Sequence, residues 1–245
     1  MRATPFRLVF ESLAAERFPA IAAVLEREAI SSAERDHFVL LEPVARLLRD
    51  IVPEDAGAEA LEAHLLLLHH AYRHWAAHGW VYRVGEPTLA RAAAGPRITS
   101  HLPRPALYLQ VPELRVWGTP TPDAPPEPLD GVFVTETTAP GAIAALAIFG
   151  MRAGRPGFSA VGLEGRADAD DPAGGEIAVA AAREDGSAAF APSLSGGREA
   201  GVYSVANAGE LLLLTCRLLA LLPVPTARDA GSGMRDASET VIDLP

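Results

Sequence analysis

The spacing of apolar positions along the chain changes period once. Over the first eighty residues apolar side chains recur at helical intervals between breakers, and there is almost no two-residue alternation. One helix is expected to start near Pro19, a residue suited to a first turn, and to run through IAAVLEREA. A second opens at Ser31 or Ser32 as N-cap and runs through AERDHFVLLEPVARLLRDIV, with Pro43 breaking or kinking it. The third extends from the Asp55 to Gly57 turn to His78. Its Leu61, Leu65, Leu68, Tyr72 and Trp75 form one apolar stripe, and Gly79 followed by Trp80 reads as its Schellman-type end.

From residue 81 the period shortens. A short VYRV stretch and a small helix in EPTLARAAA, ended by Gly95, precede a series of strand signals bounded by Gly or Pro. These are ALYLQV, which stops at Pro112, then LRVWG, GVFVTET, AIAALAIFGM, FSAVGLEG and EIAVAAARE, with the proline-rich PTPDAPPEP as a connection. Strands joined by short turns without intervening helices favour antiparallel pairing. AIAALAIFGM is apolar at every position, so it is expected to be a central strand covered on both faces. Asn207 and Glu210 make an N-x-x-E capping signature before LLLLTCRLLALL, a helix apolar nearly all round and therefore buried. The expected fold class is α+β, with an N-terminal helical region, a central mostly antiparallel sheet and a buried C-terminal helix. Residues 1–80 form the helical region, 81–222 the sheet region packed with it as one unit, and 223–245, rich in small and charged residues, a flexible tail.

Composition narrows the chemistry. All 21 basic residues are arginine, a bias of GC-rich bacterial genomes, so lysine nucleophiles, Schiff bases and a phosphate loop built on lysine are excluded. A net charge of −10 repels phosphate backbones, and no nucleic-acid partner is expected. The single cysteine, Cys216, excludes an intrachain disulfide. The N-terminal residues lack the apolar core of a secretion signal, and the apolar stretch from Leu211 to Leu222 is interrupted by Arg217 and falls short of the ~20 residues of a membrane span. A cytoplasmic protein with no membrane partner is expected.

Five of the seven histidines, His64, His69, His70, His74 and His78, lie on the third helix. His70, His74 and His78 stack at i, i+4 spacing, where imidazoles can chelate a metal, on the side of the helix roughly opposite its leucine stripe. No HExxH and no same-face carboxylate completes a ligand set, so the face is expected to be a partly solvated polar surface or the edge of a helix contact, free of metal. Glu34 and His37 form one Glu-x-x-His where a di-iron bundle needs two. Asp168, Asp170 and Asp171 lack the glycine and glutamate that a calcium loop places at its sixth and twelfth positions, here Ala173 and Val179. Ser159 sits in GFSAVG, whose second glycine is displaced from the nucleophile-elbow position, and the residues after it continue as strand. Cys216, flanked by leucines, is a buried apolar residue rather than a reactive thiol.

One group could line a ligand-binding surface. Tyr108, Gln110, Arg115 and Trp117, with Glu113, Asp130 and Glu136 nearby, lie around the ends of neighbouring strands. No cofactor is implied by any motif. The functional expectation is a non-enzymatic accessory or regulatory protein that acts through a protein partner. Its competitor is a hydrolase using a histidine and a carboxylate, possibly metal-dependent, since a site assembled in space leaves no local motif.

Overall fold

The two-residue alternation folds as strands. The computed structural model describes residues 4–5, 70, 73–74, 77–111, 114–116, 127–137, 139–149, 159–168, 170, 177–183, 197–199, 202–205, 208–223 and 239–245. Along them run β1 (Trp80–Val84), α1 (Glu86–Ala94), β2 (Ala106–Gln110), β3 (Leu114–Val116), β4 (Glu127–Glu136) and β5 (Ile143–Phe149). Then come β6 (Ser159–Gly165), β7 (Ile177–Arg183), β8 (Gly197–Glu199), β9 (Val202–Val205), α2 (Ala208–Leu219) and β10 (Thr240–Leu244). The fold is α+β. Of the expected helical region Pro5, His70, Arg73 and His74 are described in helical conformation; apart from Thr4 and Pro5, residues 1–69 lie outside the described residues.

The ten strands make one mixed sheet in the order β10-β1-β2-β4-β3-β9-β8, with β5, β6 and β7 extending from β4. The pairings from β2 through β4, β5 and β6 to β7 are antiparallel, as short connections demand. The expectation of antiparallel pairing fails at the margins. β1 pairs in parallel with β2 because α1 carries the chain back between them, a strand-helix-strand crossover hidden in VYRV and EPTLARAAA. β3 with β9 and β1 with β10 are parallel too, each after a long return of the chain.

The last of these corrects the sequence-based boundary. The flexible tail expected from residue 223 does not hold for its end, because Thr240–Leu244 is a sheet strand in register with Trp80–Val84. Three of its five residues, Thr240, Val241 and Ile242, are β-branched, and Ile242 and Leu244 pack against the core. Residues 224–238 lie outside the described residues.

β2 and β3 both pair with β4, but in different registers. Tyr108 stands opposite Phe133, but Arg115 stands opposite Pro128, so two extra residues have entered between them. The chain closes this irregularity with hydrogen bonds from the Val111 N–H to the Asp130 carbonyl (3.0 Å) and from the Leu114 N–H to the Val111 carbonyl (3.0 Å). β4 carries a bulge on its other flank, since its register with β5 shifts between Leu129 and Gly131.

One face of the sheet is the main core. Tyr82, Leu107, Leu109, Leu129, Val132, Val134, Ala145 and Val161 gather there with Leu89 of α1 and Leu212 and Leu218 of α2. α2 packs on α1, β6 and β7. Leu211 to Cys216 are all buried, as expected of a helix apolar nearly all round, and Thr215 returns its hydroxyl to the Leu211 carbonyl at 2.8 Å. The opposite face buries Val81, Tyr108, Phe133, Leu146 and Ile148, so β5 is covered on both sides as its composition predicts.

Leu218 is 3 % exposed. Leu218→Asp is expected to cost at least ~3 kcal/mol by burying an unpaired carboxylate among apolar side chains. Chemical denaturation measures it; a midpoint equal to the parent's would show that α2 is a surface element.

Candidate functional site

The second face of the sheet holds the group of polar side chains with most chemical potential, His74, Tyr108 and Asp130, together with Phe133. Asp130 owes its place to the bulge. Leu129 and Val132 are three residues apart yet share the core face, which a regular strand forbids. The extra residue between them turns Asp130 to the opposite face, where its Oδ2 accepts a 2.7 Å hydrogen bond from the Tyr108 hydroxyl. Tyr108 is 0 % and Asp130 1 % exposed.

Gly131 makes this contact possible. A methyl carbon there would lie 2.3 Å from the Leu109 carbonyl oxygen and 2.6 Å from both Cζ and the hydroxyl of Tyr108. The phenol therefore lies across the backbone of Gly131 to reach the neighbouring carboxylate. Phe133 packs beside it, with ring centroids 4.5 Å apart.

His74 brings the preceding helix onto the same aromatic surface. Its imidazole meets Phe133 edge-on at 5.3 Å and Tyr108 at 6.3 Å. Its Nε2 lies 2.8 Å from the Trp80 carbonyl; a carbonyl only accepts, so Nε2 carries the proton. The His74 carbonyl in turn accepts the Gly79 N–H at 2.8 Å. His74 thus holds the turn between helix and β1 through its backbone and its side chain. The left-handed position that closes the helix is His78 (φ 69°), with Gly79 following at φ 61°, one residue earlier than Gly79 alone would have placed it.

Of the two expectations for the histidine face, a partly solvated surface and the edge of a helix contact, the second fits His70 and His74. His70 and His74 are buried rather than set on a solvated polar surface, and His78 alone of the stacked trio is exposed. Burial pushes the His74 imidazole down to about 4, against a smaller upward pull from its bond to the Trp80 carbonyl. Neutral at ordinary pH, it serves as an aromatic and a donor. Among the described residues no three histidine, cysteine or acidic side chains come close enough to share a metal.

The other candidates separate. Gln110, 4 % exposed, accepts a 3.3 Å bond from Arg83 Nε, and Arg83 Nη1 reaches Asp243 of β10 at 2.9 Å. Tyr108 and Gln110 are therefore both buried, Tyr108 bonded toward β4 and Gln110 toward β1. Arg115 lies in β3, while its side chain, Glu113 and Trp117 fall outside the described residues. Glu136 and His101 are exposed. Ser159 is a strand residue opposite Arg183. Asp168 accepts the Asp170 N–H at 2.8 Å in an exposed turn. Burial pushes the Cys216 thiol up to about 11, far from a thiolate nucleophile. Glu34, His37 and Asp171 lie outside the described residues.

The sequence grouping had joined Tyr108 with Asp130 but had left out His74. The Asp130-Gly131 pair at the head of GVFVTET was the available signal, because Gly inside a strand pattern marks a bulge or a close approach.

The chain matches no protein-family model, and no curated protein matches it in sequence. Functional inference therefore rests on the geometry.

Two outcomes test this geometry. Gly131→Ala should destabilise the protein by roughly 3 kcal/mol or more, since a backbone carbonyl cannot yield as a flexible side chain would. Tyr108→Phe, which keeps the ring, should cost less; equal losses would mean that the Gly131 contact is not the tight one. The second outcome concerns pH. An unfolded His74 takes up a proton near pH 6.5 and the folded one only near 4, so between these values the unfolded state binds more protons. Stability is full above pH 6.5 and falls as pH drops toward 4, by up to about 3 kcal/mol at 1.36 kcal/mol per unit. Urea midpoints across that window should slope for the parent and flatten for His74→Gln; parallel profiles would remove His74 as the cause.

Proposed function

We propose that this is a non-enzymatic cytoplasmic protein, an accessory or regulatory factor that acts through contacts with a protein partner. The observation that carries the reading is the sheet margin at β10. That strand pairs with β1 on one side, and among the described residues no strand pairs with its other side. Exposed strand edges are templates for another chain's strand. The single buried Cys216 suits a reducing compartment. No helix among the described residues is long and apolar enough to cross a membrane.

The competing hydrolase draws on one observation, the gathering of His74, Tyr108 and Asp130 on a common face. A general base must come within hydrogen-bond reach of its substrate. His74 and Asp130 are at most 1 % exposed and already engaged in holding a helix end and a bulge, which favours a structural role.

The test is site-specific photocrosslinking in cells of the protein's own source. A photoreactive side chain at Val241 is expected to yield one discrete protein adduct, while the same group at Asp168, exposed but away from the margin, yields none. Absence of an adduct at Val241, or equal adducts at both positions, would refute a contact surface at β10.

A further inference from the structure

β10 covers one edge of β1 along its whole length. The Thr240 N–H bonds to the Gly79 carbonyl at 2.9 Å, and the Gly85 N–H to the Leu244 carbonyl at 2.7 Å. Alternate residues of a strand bond to a given neighbour. With Val81 beside Val241 and Arg83 beside Asp243, the N–H groups of Val81, Arg83 and Gly85 therefore point toward β10, and that of Tyr82, beside Leu109, points toward β2.

The two strands differ in burial. Trp80, Val81, Tyr82 and Val84 are buried. Every residue of β10 is exposed or half-buried, and Ile242 and Leu244 pack against the core from its margin. What fastens β10 is chiefly polar. Besides the five paired positions, Arg83 Nη1 holds Asp243 Oδ1 at 2.9 Å, Thr88 donates to the Pro245 carbonyl and Thr4 to the Glu239 carboxylate. Gly85 fits closely under the end of the strand: a methyl carbon there would come 3.0 Å from the Leu244 carbonyl oxygen.

Elements with little buried apolar surface open locally at a lower free energy than the whole fold. An ion pair whose carboxylate is three-quarters exposed adds little to hold them. We infer that β10 is a reversible strap, which leaves β1 and returns as one unit while β1 stays paired with β2, and that Arg83 is its clasp. The inference concerns the side of β10 that faces β1 and does not depend on the contact surface proposed above.

The clasp keeps its place when the strap opens. Arg83 Nε donates to the buried Gln110 of β2 at 3.3 Å, a bond that does not involve β10, so the guanidinium stays at the margin to meet Asp243 on its return. Register partners restore the same contact each time, because Arg83 and Asp243 stand beside each other in the ladder. Opening bares the N–H groups of Val81, Arg83 and Gly85 together with the Thr88 hydroxyl in the first turn of α1. Closing covers them again.

Native-state hydrogen exchange of the full chain, followed amide by amide by NMR, tests this. Val81, Arg83 and Gly85 should share one protection factor with Ile242 and Leu244, at least ~30-fold below that of Tyr82. Tyr82 lies between Val81 and Arg83 on the same strand, so fraying of β1 as a whole would lower all three alike. Arg83→Ala should lower the protection of the β10-facing set by about two- to fivefold and leave Tyr82 unchanged. A covalent clasp gives the converse. Arg83→Cys combined with Asp243→Cys places two thiols on one face at neighbouring positions of the ladder, a spacing that a disulfide accepts. Oxidised, this variant should bring Val81 and Gly85 to within about threefold of Tyr82, and reduction should restore the difference. Circular dichroism and melting establish that each variant is folded. Equal protection of Val81, Arg83 and Tyr82 in the parent overturns the inference, and so does a difference that survives in the oxidised variant.

Discussion

A carboxylate buried to 1 % exposure has to be hydrogen-bonded, and the arrangement around Asp130 follows from that constraint. The bulge in β4 turns Asp130 away from the apolar core face, where nothing could bond it. The missing side chain of Gly131 lets the Tyr108 ring cross the strand, and the hydroxyl arrives at 2.7 Å. With the ring held there, Phe133 and then His74 have an aromatic surface to pack on, and the helix end is set against the sheet. Removing only one partner leaves a buried polar atom unmet, which costs more than the bond itself contributes.

That chain of contacts explains why His74 is useful only while neutral. Its position in the last described part of the helix places its carbonyl and its ring on either side of the turn to β1. A histidine provides an aromatic edge and an N–H together, which neither phenylalanine nor a small polar residue offers. Its protonation adds a charge in a site without room for solvent, so the same contact that secures the turn gives stability a dependence on acid.

The elements themselves were legible because they depend on local patterning. ALYLQV, AIAALAIFGM and EIAVAAARE are strands where alternation and apolar runs place them, and the helix before Pro223 is buried as its composition requires. What could not be read was long-range. Parallel pairing of β1 depends on α1 packing back across the sheet, and β3 and β9 pair across 89 residues of sequence, Leu114 beside Tyr203. β10 carried a strand signal in Thr240, Val241 and Ile242, but its flanking glycines, serines and aspartates outweighed it in a compositional reading. Tyr108 and Asp130 were singled out as polar residues among strands; their inward orientation depends on a bulge that only the partner strand reveals. Spacing alone left the histidine face open between a solvated surface and a helix contact, and the burial of His74 depends on the aromatic surface of the sheet that it meets.

The margin at β10 inverts the logic of the interior. Inside the sheet the Asp130 carboxylate is matched by the Tyr108 hydroxyl, and a local irregularity makes that match possible. At the margin, Arg83 draws together Gln110 of β2 and Asp243 of β10, tying three neighbouring strands on the face opposite the main core. Its bond to Asp243, three-quarters exposed, contributes little energy but orients the carboxylate along the sheet. Among the described residues no strand pairs with the side of β10 away from β1. Recognition by strand addition needs no pocket and no reactive side chain, and among the described residues His74, Tyr108 and Asp130 are engaged in holding a helix end and a bulge.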